Sequence, residues 1–333
     1  MTVASFEATG NDPSRSARSE VGLAPTPEAH RAWFADFTTY DGALGGPDYH
    51  MVNIVEQAKE LSPREQLWLV GCYGAWYNGP AAEYFWQSWP AHIFAAAEDE
   101  EVLVWLREHK LPYRRERRAI RTPEKTLRYL RTWATWTRHV PTARARYEDA
   151  WRSIDAVYGV GRYIKMKLLE ALHRLGYVTA QPDMRAKDGW SPAEGLALMH
   201  AGWSLLRLLA DLPAFEHLGA ELAAETGHSM FAIQVWLCEY KQAWAGKQYP
   251  GRSLDSEIEY HSKVRAVDPA FESAMWEIRK HAHPTVALGE LRGWSEPRGC
   301  GQALPRFGYV WTDLLFDHLA TTDLANPVRW PAS

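Results

Sequence analysis

Three groups of residues have types and spacings that could do chemistry. The first is a carboxylate, Asp183, in Gln181-Pro182-Asp183. An acid near a helix end beside an arginine-rich surface stays ionised and can act as a base or an electrostatic stabiliser; a helix cap or a surface ion pair would use the same residue. The second is the junction Trp76-Tyr77-Asn78-Gly79-Pro80 with Glu83-Tyr84-Phe85-Trp86 after it. It gathers flat aromatic faces and an amide, which stacking a base and bonding its Watson–Crick edge require. A tryptophan-rich core corner with Asn78 capping a helix reads equally well. The third is the polar block from Glu239 to His261, which sets Lys241, Lys247 and Arg252 against Asp255, Glu257, Glu259 and His261 around Tyr249-Pro250-Gly251-Arg252. Cations suit a phosphate or carboxylate and carboxylates suit an amine or a metal, yet a solvated helix–loop–helix has the same composition. His281-Ala282-His283 is too short to define a metal site without further ligands at helical spacing.

These groups must be positioned by helices. The central element is a hairpin: a first helix over Arg144 to Val157, the link Tyr158-Gly159-Val160-Gly161-Arg162-Tyr163, and a second helix from Gly161 to Leu175. Gly159 and Gly161 permit positive φ and close backbone approach, and the unpaired amides that open the second helix can take a phosphate. On that helix Met166, Leu169, Leu172 and His173 form the expected buried stripe, leaving Lys165 and Lys167 outward, with Lys165 directed at phosphate. Ahead of the hairpin, Arg107 to Arg146 carries thirteen Lys/Arg against three Asp/Glu, in a chain whose formal net charge is −4. A bias this strong is an electrostatic footprint for a polyanion, or else a solvated face. Within it a helix from Pro123 to His139 turns Leu127, Leu130 and Trp133 inward and leaves Arg128, Arg131 and Arg138 for solvent or phosphates.

Elsewhere, Trp33, Phe34, Phe37 and Tyr40 recur at helical spacing, and Ser62-Pro63-x-Glu65 and Ser191-Pro192-x-Glu194 mark helix starts. Further helices are expected at 191–210, 213–226, 228–245, 268–281 and 308–320. With no repeats and no convincing strands, the fold class is all-α and two-lobed, with the hairpin at the cleft between the lobes. Residues 1–27 read as a disordered arm, 28–320 as the helical domain and 321–333 as a tail. Seventeen Trp are several times the usual share. The three cysteines, Cys72, Cys238 and Cys300, exclude a disulfide framework and a four-cysteine iron–sulfur or zinc site. The absence of a membrane-spanning run and of a leader's apolar stretch gives the expectation of a cytoplasmic protein with no membrane partner.

Gly-Val-Gly-Arg-Tyr at 159–163, followed by the Pro-flanked Asp183, resembles the helix-hairpin-helix and catalytic-Asp unit of the DNA glycosylase superfamily. The resemblance covers roughly a tenth of the chain and departs from the usual pattern at Ile164-Lys165-Met166-Lys167. It implies a helix-hairpin-helix DNA glycosylase-like fold, contacts to DNA from Gly159, Gly161, Arg162, Lys165, Arg128 and Arg131, and an Asp183 that faces a flipped nucleotide. Tyr163 falls where some relatives carry a nucleophilic Lys and others Ser or Tyr, which argues against Schiff-base chemistry there. With the Trp76–Pro80 junction and the block to Glu257, the whole chain looks like the amino acid:DNA transferase group, relatives of the α-glutamyl/putrescinyl-thymine pyrophosphorylases with which bacteriophages hypermodify DNA. That resemblance implies replacement of the pyrophosphate on 5-pyrophosphoryloxymethyluracil, in double-stranded DNA, by a small amine or amino acid in the host cytoplasm. Trp76, Tyr77, Asn78 and Glu83 would form the base pocket. Glu239, Lys241, Lys247 and Arg252 would bind pyrophosphate and amine, and Asp183, Tyr163, Asp255 and Glu257 would do the chemistry. The need for a divalent cation and the identity of the amine stay open. A base-releasing glycosylase and a non-catalytic DNA-binding protein are the alternatives.

Overall fold

Local sequence sets the helix boundaries. The computed structural model describes residues 26–43, 46–139, 144–185, 191–200, 204–244 and 252–271. Helix α1, Pro27–Ala43, starts behind Thr26, whose hydroxyl accepts from the Ala29 amide at 3.2 Å. After α2, Tyr49–Lys59, Ser62 caps α3, Pro63–Trp76, by accepting from the Glu65 amide at 3.5 Å. Helix α3 stops where Tyr77 turns left-handed at φ 54°, and Asn78 starts α4, Gly79–Ser88, by accepting from the Ala81 amide at 2.8 Å. Helices α5, Ala91–Ala96, and α6, Asp99–His109, lead to a 3-10 turn, Arg115–Ile120. Thr122 then caps α7, Pro123–Thr137.

The hairpin follows as α8, Tyr147–Ser153, a 3-10 turn, Ile154–Ala156, and α9, Arg162–Arg174. A β-bridge between Ala145 and Val178 joins its outer ends, with the Tyr147 amide donating to Thr179 Oγ1 at 2.9 Å. The second half comprises α10, Ser191–Leu198, α11, Leu205–Ala210, α12, Leu212–Thr226, α13, Met230–Trp244, and α14, Arg252–Arg265, with a closing 3-10 turn at Pro269–Phe271. The described residues are mostly helical and contain no strand, which gives the all-α class.

Two hydrophobic clusters organise these helices. The larger is built on α3, with Trp68, Tyr73, Trp76, Trp133 and Leu169 among its buried members. Helix α7 lies against α3 because Gly71 has no side chain: a Cβ there would sit 2.1 Å from the Trp133 indole. The smaller cluster joins Phe34 and Phe37 of α1 to Leu196, Phe215, Trp236 and Leu237. Helix α13 serves both, with Phe231 and Val235 in the first cluster and Ile233, Trp236, Leu237 and Tyr240 in the second.

Several expectations change in the folded chain. The hairpin's first helix is shorter than Arg144 to Val157, and the stretch expected as one helix over 191–210 is divided between α10 and α11. Met166, Leu169 and Leu172 are buried as expected, but Lys165 and Lys167, expected outward, are only 6% and 1% exposed. Helix α9 packs on both α2 and α3, so it is buried from Ile164 through Leu172 rather than along one stripe. The N-terminal arm up to 25, His281-Ala282-His283, the helix expected at 308–320 and the C-terminal tail lie outside the described residues. Among those described, no helix is long and apolar enough to cross a membrane.

Candidate functional site

The hairpin link is fitted tightly to the basic segment. Gly159 is left-handed at φ +71°, and a Cβ on it would meet Ile120 at 2.5 Å. Its carbonyl accepts from Arg117 Nη1 at 2.9 Å, while the Arg117 guanidinium lies 5.0 Å over the Tyr129 ring. Arg117 therefore supports the hairpin from inside, at 1% exposure. On the outer side Arg128 stacks 4.1 Å over Tyr158, whose amide donates to Thr132 Oγ1 at 3.0 Å. Gly161 is the exposed N-cap of α9 and has no side-chain cap; Arg162 and Tyr163 open the helix. Arg115, Arg118, Arg121, Lys125 and Arg128 are all exposed. This arrangement can take a polyanion, with backbone amides at the hairpin and cations beside it.

Two expected phosphate contacts are used otherwise. Lys165 pairs with Asp155 and lies 4.6 Å over the Trp151 ring, because its aliphatic stem is buried along α9. Arg131 donates to Asp99 at 2.8 Å and to the Phe94 and Ala97 carbonyls at 2.7 Å each, tying α7 to the α5–α6 junction.

The Trp76–Glu83 corner is largely buried, and Trp76 also lines a cavity of about 400 Å³ with Arg107, Lys110, Tyr113 and Arg121. Trp76 is fully buried against Phe85 and Tyr113. Asn78 is spent on its cap and on donating to the Pro112 carbonyl. Glu83 is buried beside Glu257; burial, reinforced by that second carboxylate, pushes its pKa well above the usual carboxylate range. Glu257 itself accepts from Asn53 Nδ2 at 2.6 Å and anchors α14 onto α2 and α4. Asp255 and Lys247 have no described side chain.

An open site lies next to the corner. A cavity of about 500 Å³ is lined by Arg114, Arg115 and Glu116, by Tyr163 at the start of α9, by Ser191, Cys238, Glu239 and Gln242, and by Arg252, Ser253, Ser256 and Tyr260 on α14. It thus brings together Tyr163, Glu239 and Arg252 from the sequence-based set, with Arg114 and Arg115 added. Glu239 has its pKa raised well above the ordinary value, first by burial and then by the neighbouring Asp41 carboxylate. The raised pKa means that Glu239 holds its proton to higher pH than an ordinary carboxyl and, once ionised, is a stronger base. Lys241 is committed to Glu194 and Ser191, behind the wall. Asp183 is not among the lining residues. It holds an Asx turn through the Arg185 amide at 3.1 Å, and Arg185 then stacks 4.1 Å over Trp151 and pairs with Glu148 at 2.6 Å.

Behind Tyr163 is a polar network that sequence reasoning missed. Lys167 Nζ lies 2.9 Å from Asp48 Oδ2, Tyr73 donates to Asp48 Oδ1 at 3.0 Å, and Tyr77 donates to Oδ2 at 3.4 Å. The Tyr77 and Tyr163 hydroxyls are 2.6 Å apart, and Arg114 lies 4.6 Å over the Tyr77 ring. Burial alone would raise the Asp48 carboxyl, but Lys167 and Arg114 outweigh it and hold the group below its ordinary value. Tyr163 is 37% exposed overall, yet desolvation at its inward hydroxyl pushes its pKa up to about 12. The signal available was the pairing of Tyr73 with Tyr77 and of Tyr163 with Lys167, each one helical turn apart on one face. Among the described residues no group of three His, Cys, Asp or Glu side chains is placed to hold a metal ion. Compared with known proteins, the chain matches no family model, no curated protein and no solved structure, so its site is defined by its own residues.

Proposed function

We propose that this protein transfers an amine onto a thymine-derived base in double-stranded DNA, replacing the pyrophosphate of 5-pyrophosphoryloxymethyluracil and leaving the glycosidic bond intact. The observation that carries this reading is the mixed-charge cavity at the start of the hairpin's second helix, which sets Arg114, Arg115 and Arg252 beside Glu239 and Tyr163. A DNA-binding module needs no such cavity, and a base-releasing enzyme needs no second set of cations in it. The hairpin and the exposed arginines beside it hold the backbone, and the target base is extruded into the cavity, where Tyr163 and Tyr260 offer ring faces.

Glu239 in its ionised form takes a proton from the bound ammonium. The freed nitrogen lone pair forms a C–N bond to the methylene carbon as the C–O bond to pyrophosphate breaks, and the electron pair leaves on the phosphate oxygen. Arg114, Arg115 and Arg252 offset that charge. Glu239→Gln should lower turnover on pyrophosphorylated DNA by a factor on the order of 10²–10⁴ while DNA affinity is kept. Asp183→Asn should retain most activity, since Asp183 holds a turn outside the cavity. The reverse pattern, with Asp183 essential and Glu239 dispensable, would return the chemistry to the glycosylase arrangement.

A further inference from the structure

The network behind Tyr163 has a direction. A carboxylate that is ionised accepts hydrogen bonds and donates none, and Asp48, in contact with Lys167 at 2.9 Å, is held ionised. Tyr73 at 3.0 Å and, over a longer 3.4 Å contact, Tyr77 turn their hydroxyl protons to Asp48. Each phenol has one proton. In the 2.6 Å contact between Tyr77 and Tyr163 either hydroxyl could donate by geometry, and with the Tyr77 proton on Asp48 the Tyr77 oxygen accepts and Tyr163 donates. This leaves the Tyr163 oxygen with lone pairs and no proton to offer the cavity that it lines.

We infer that Asp48, Tyr77 and Lys167 are positioning residues that make Tyr163 an obligate hydrogen-bond acceptor in the cavity, so that the group seated against it is an N–H donor, the attacking ammonium. The identification of the donor as the amine rests on the transferase reading; the polarity of the chain does not. Successive hydrogen bonds polarise one another, so the chain ending on Asp48 strengthens Tyr163 as an acceptor. Tyr163 then orients the ammonium and ionised Glu239 receives its proton, while Arg114, Arg115 and Arg252 line the cavity beside the phosphates. Asp48 only orients: Lys167 and Arg114 stabilise its charge, and no proton transfer to it is required. Lys167 has a second counter-ion in Glu170 at 3.4 Å, which fixes the lysine from its other side.

The charged and titratable groups that face Tyr163 are Lys167 on α9, Asp48 ahead of α2, Tyr73 and Tyr77 on α3, Arg114 between α6 and α7, and Glu239 on α13, with Arg115, Glu116, Cys238 and Arg252 around the cavity. Among the negative groups Asp48 is the strongest influence on the Tyr163 phenol. Removing its charge should make Tyr163 easier to ionise.

The test uses the full-length protein with ¹³C-labelled tyrosine, its Tyr163 signals assigned by Tyr163→Phe. The bridging hydroxyl proton should couple to the ring carbons of Tyr163, and coupling to the ring of Tyr77 would overturn the assigned direction. Independently, Asp48→Asn should lower the ionisation midpoint of Tyr163; an unchanged midpoint would overturn the role of Asp48 in positioning it. If Asp48→Asn fails to fold, Tyr77→Phe keeps the ring and removes only the link, and should shift the Tyr163 Cζ resonance, whereas no shift counts against the chain. On pyrophosphorylated DNA, Tyr77→Phe should raise the KM for the amine about tenfold with kcat changed less than twofold. A loss in kcat at constant KM would contradict the positioning role. A wild-type protein with no turnover would sink the transferase reading and leave the direction of the chain to be decided by the spectra.

Discussion

At the scale of single residues, the buried charges make the sharpest statements. Lys167 and Asp48 have side chains only 1% and 3% exposed, so neither can be solvated if the other is lost. Lys167→Met should destabilise the protein by about 3–5 kcal/mol in urea unfolding, the usual cost of stranding one partner of a buried pair. Lys167→Met with Asp48→Asn should recover much of that loss; a double variant as unstable as the sum of the singles would deny the coupling. Glu83 gives a pH signature. Its folded pKa is raised by burial and by Glu257, so the folded state holds a proton that the unfolded chain releases at an ordinary carboxylate pH. Its contribution is therefore fully present below the unfolded pKa and lost as pH rises through the folded one. Glu83→Gln should remove this dependence and stabilise the protein by about 1–2 kcal/mol at alkaline pH, with little gain near pH 4. A uniform effect across pH, read from thermal unfolding, would contradict a protonated Glu83.

At the scale of elements, the hairpin joins the basic segment to the cavity. Gly159 needs its left-handed backbone and its open face toward Ile120. Gly159→Ala should cost about 1–2 kcal/mol from backbone strain alone, and more where the methyl displaces Ile120. It should also weaken DNA binding, because the link carries the exposed amides of α9. Gly161→Ala meets nothing within 4 Å and should leave the melting temperature nearly unchanged. Equal losses for both substitutions, by calorimetry, would mean that the Gly159 conformation matters little. Much of this level was legible in the sequence. Ser62, Asn78 and Thr122 cap helices where turn chemistry placed the starts, and the Gly-Val-Gly link does separate two helical segments. The face of α9 was not legible. Lysine is ordinarily read as outward, and only a helix pressed from two sides, with Asp48 and Asp155 supplied from elsewhere in the chain, reverses that reading.

At the scale of the whole molecule, α13 threads two hydrophobic clusters and contributes Glu239 to a cavity that α9 and α14 complete. Tyr163, Glu239 and Arg252 were identifiable as polar groups in suggestive places, but their convergence depends on contacts across the two halves. Trp76 and Asn78 show the converse: flat rings and an amide suggested a base pocket, and in the folded chain Trp76 is buried against Phe85 and Tyr113 while Asn78 caps α4. The exposed Arg115, Arg118, Arg121, Lys125 and Arg128 should make DNA affinity fall with salt, with a log–log slope of about −0.9 per phosphate neutralised. Replacing Arg118, Arg121 and Arg128 by Ala should reduce that slope by about one for each phosphate contact removed, whereas an unchanged slope would place the interface elsewhere. The decisive measurement is mass spectrometry of nucleosides digested from DNA that carries pyrophosphorylated 5-hydroxymethyluracil, after incubation with the protein and a mixture of amino acids and polyamines. A new nucleoside with the mass of base plus amine less pyrophosphate, absent with Glu239→Gln, is the expected result. Free base with abasic sites, or DNA returned unchanged, would contradict it.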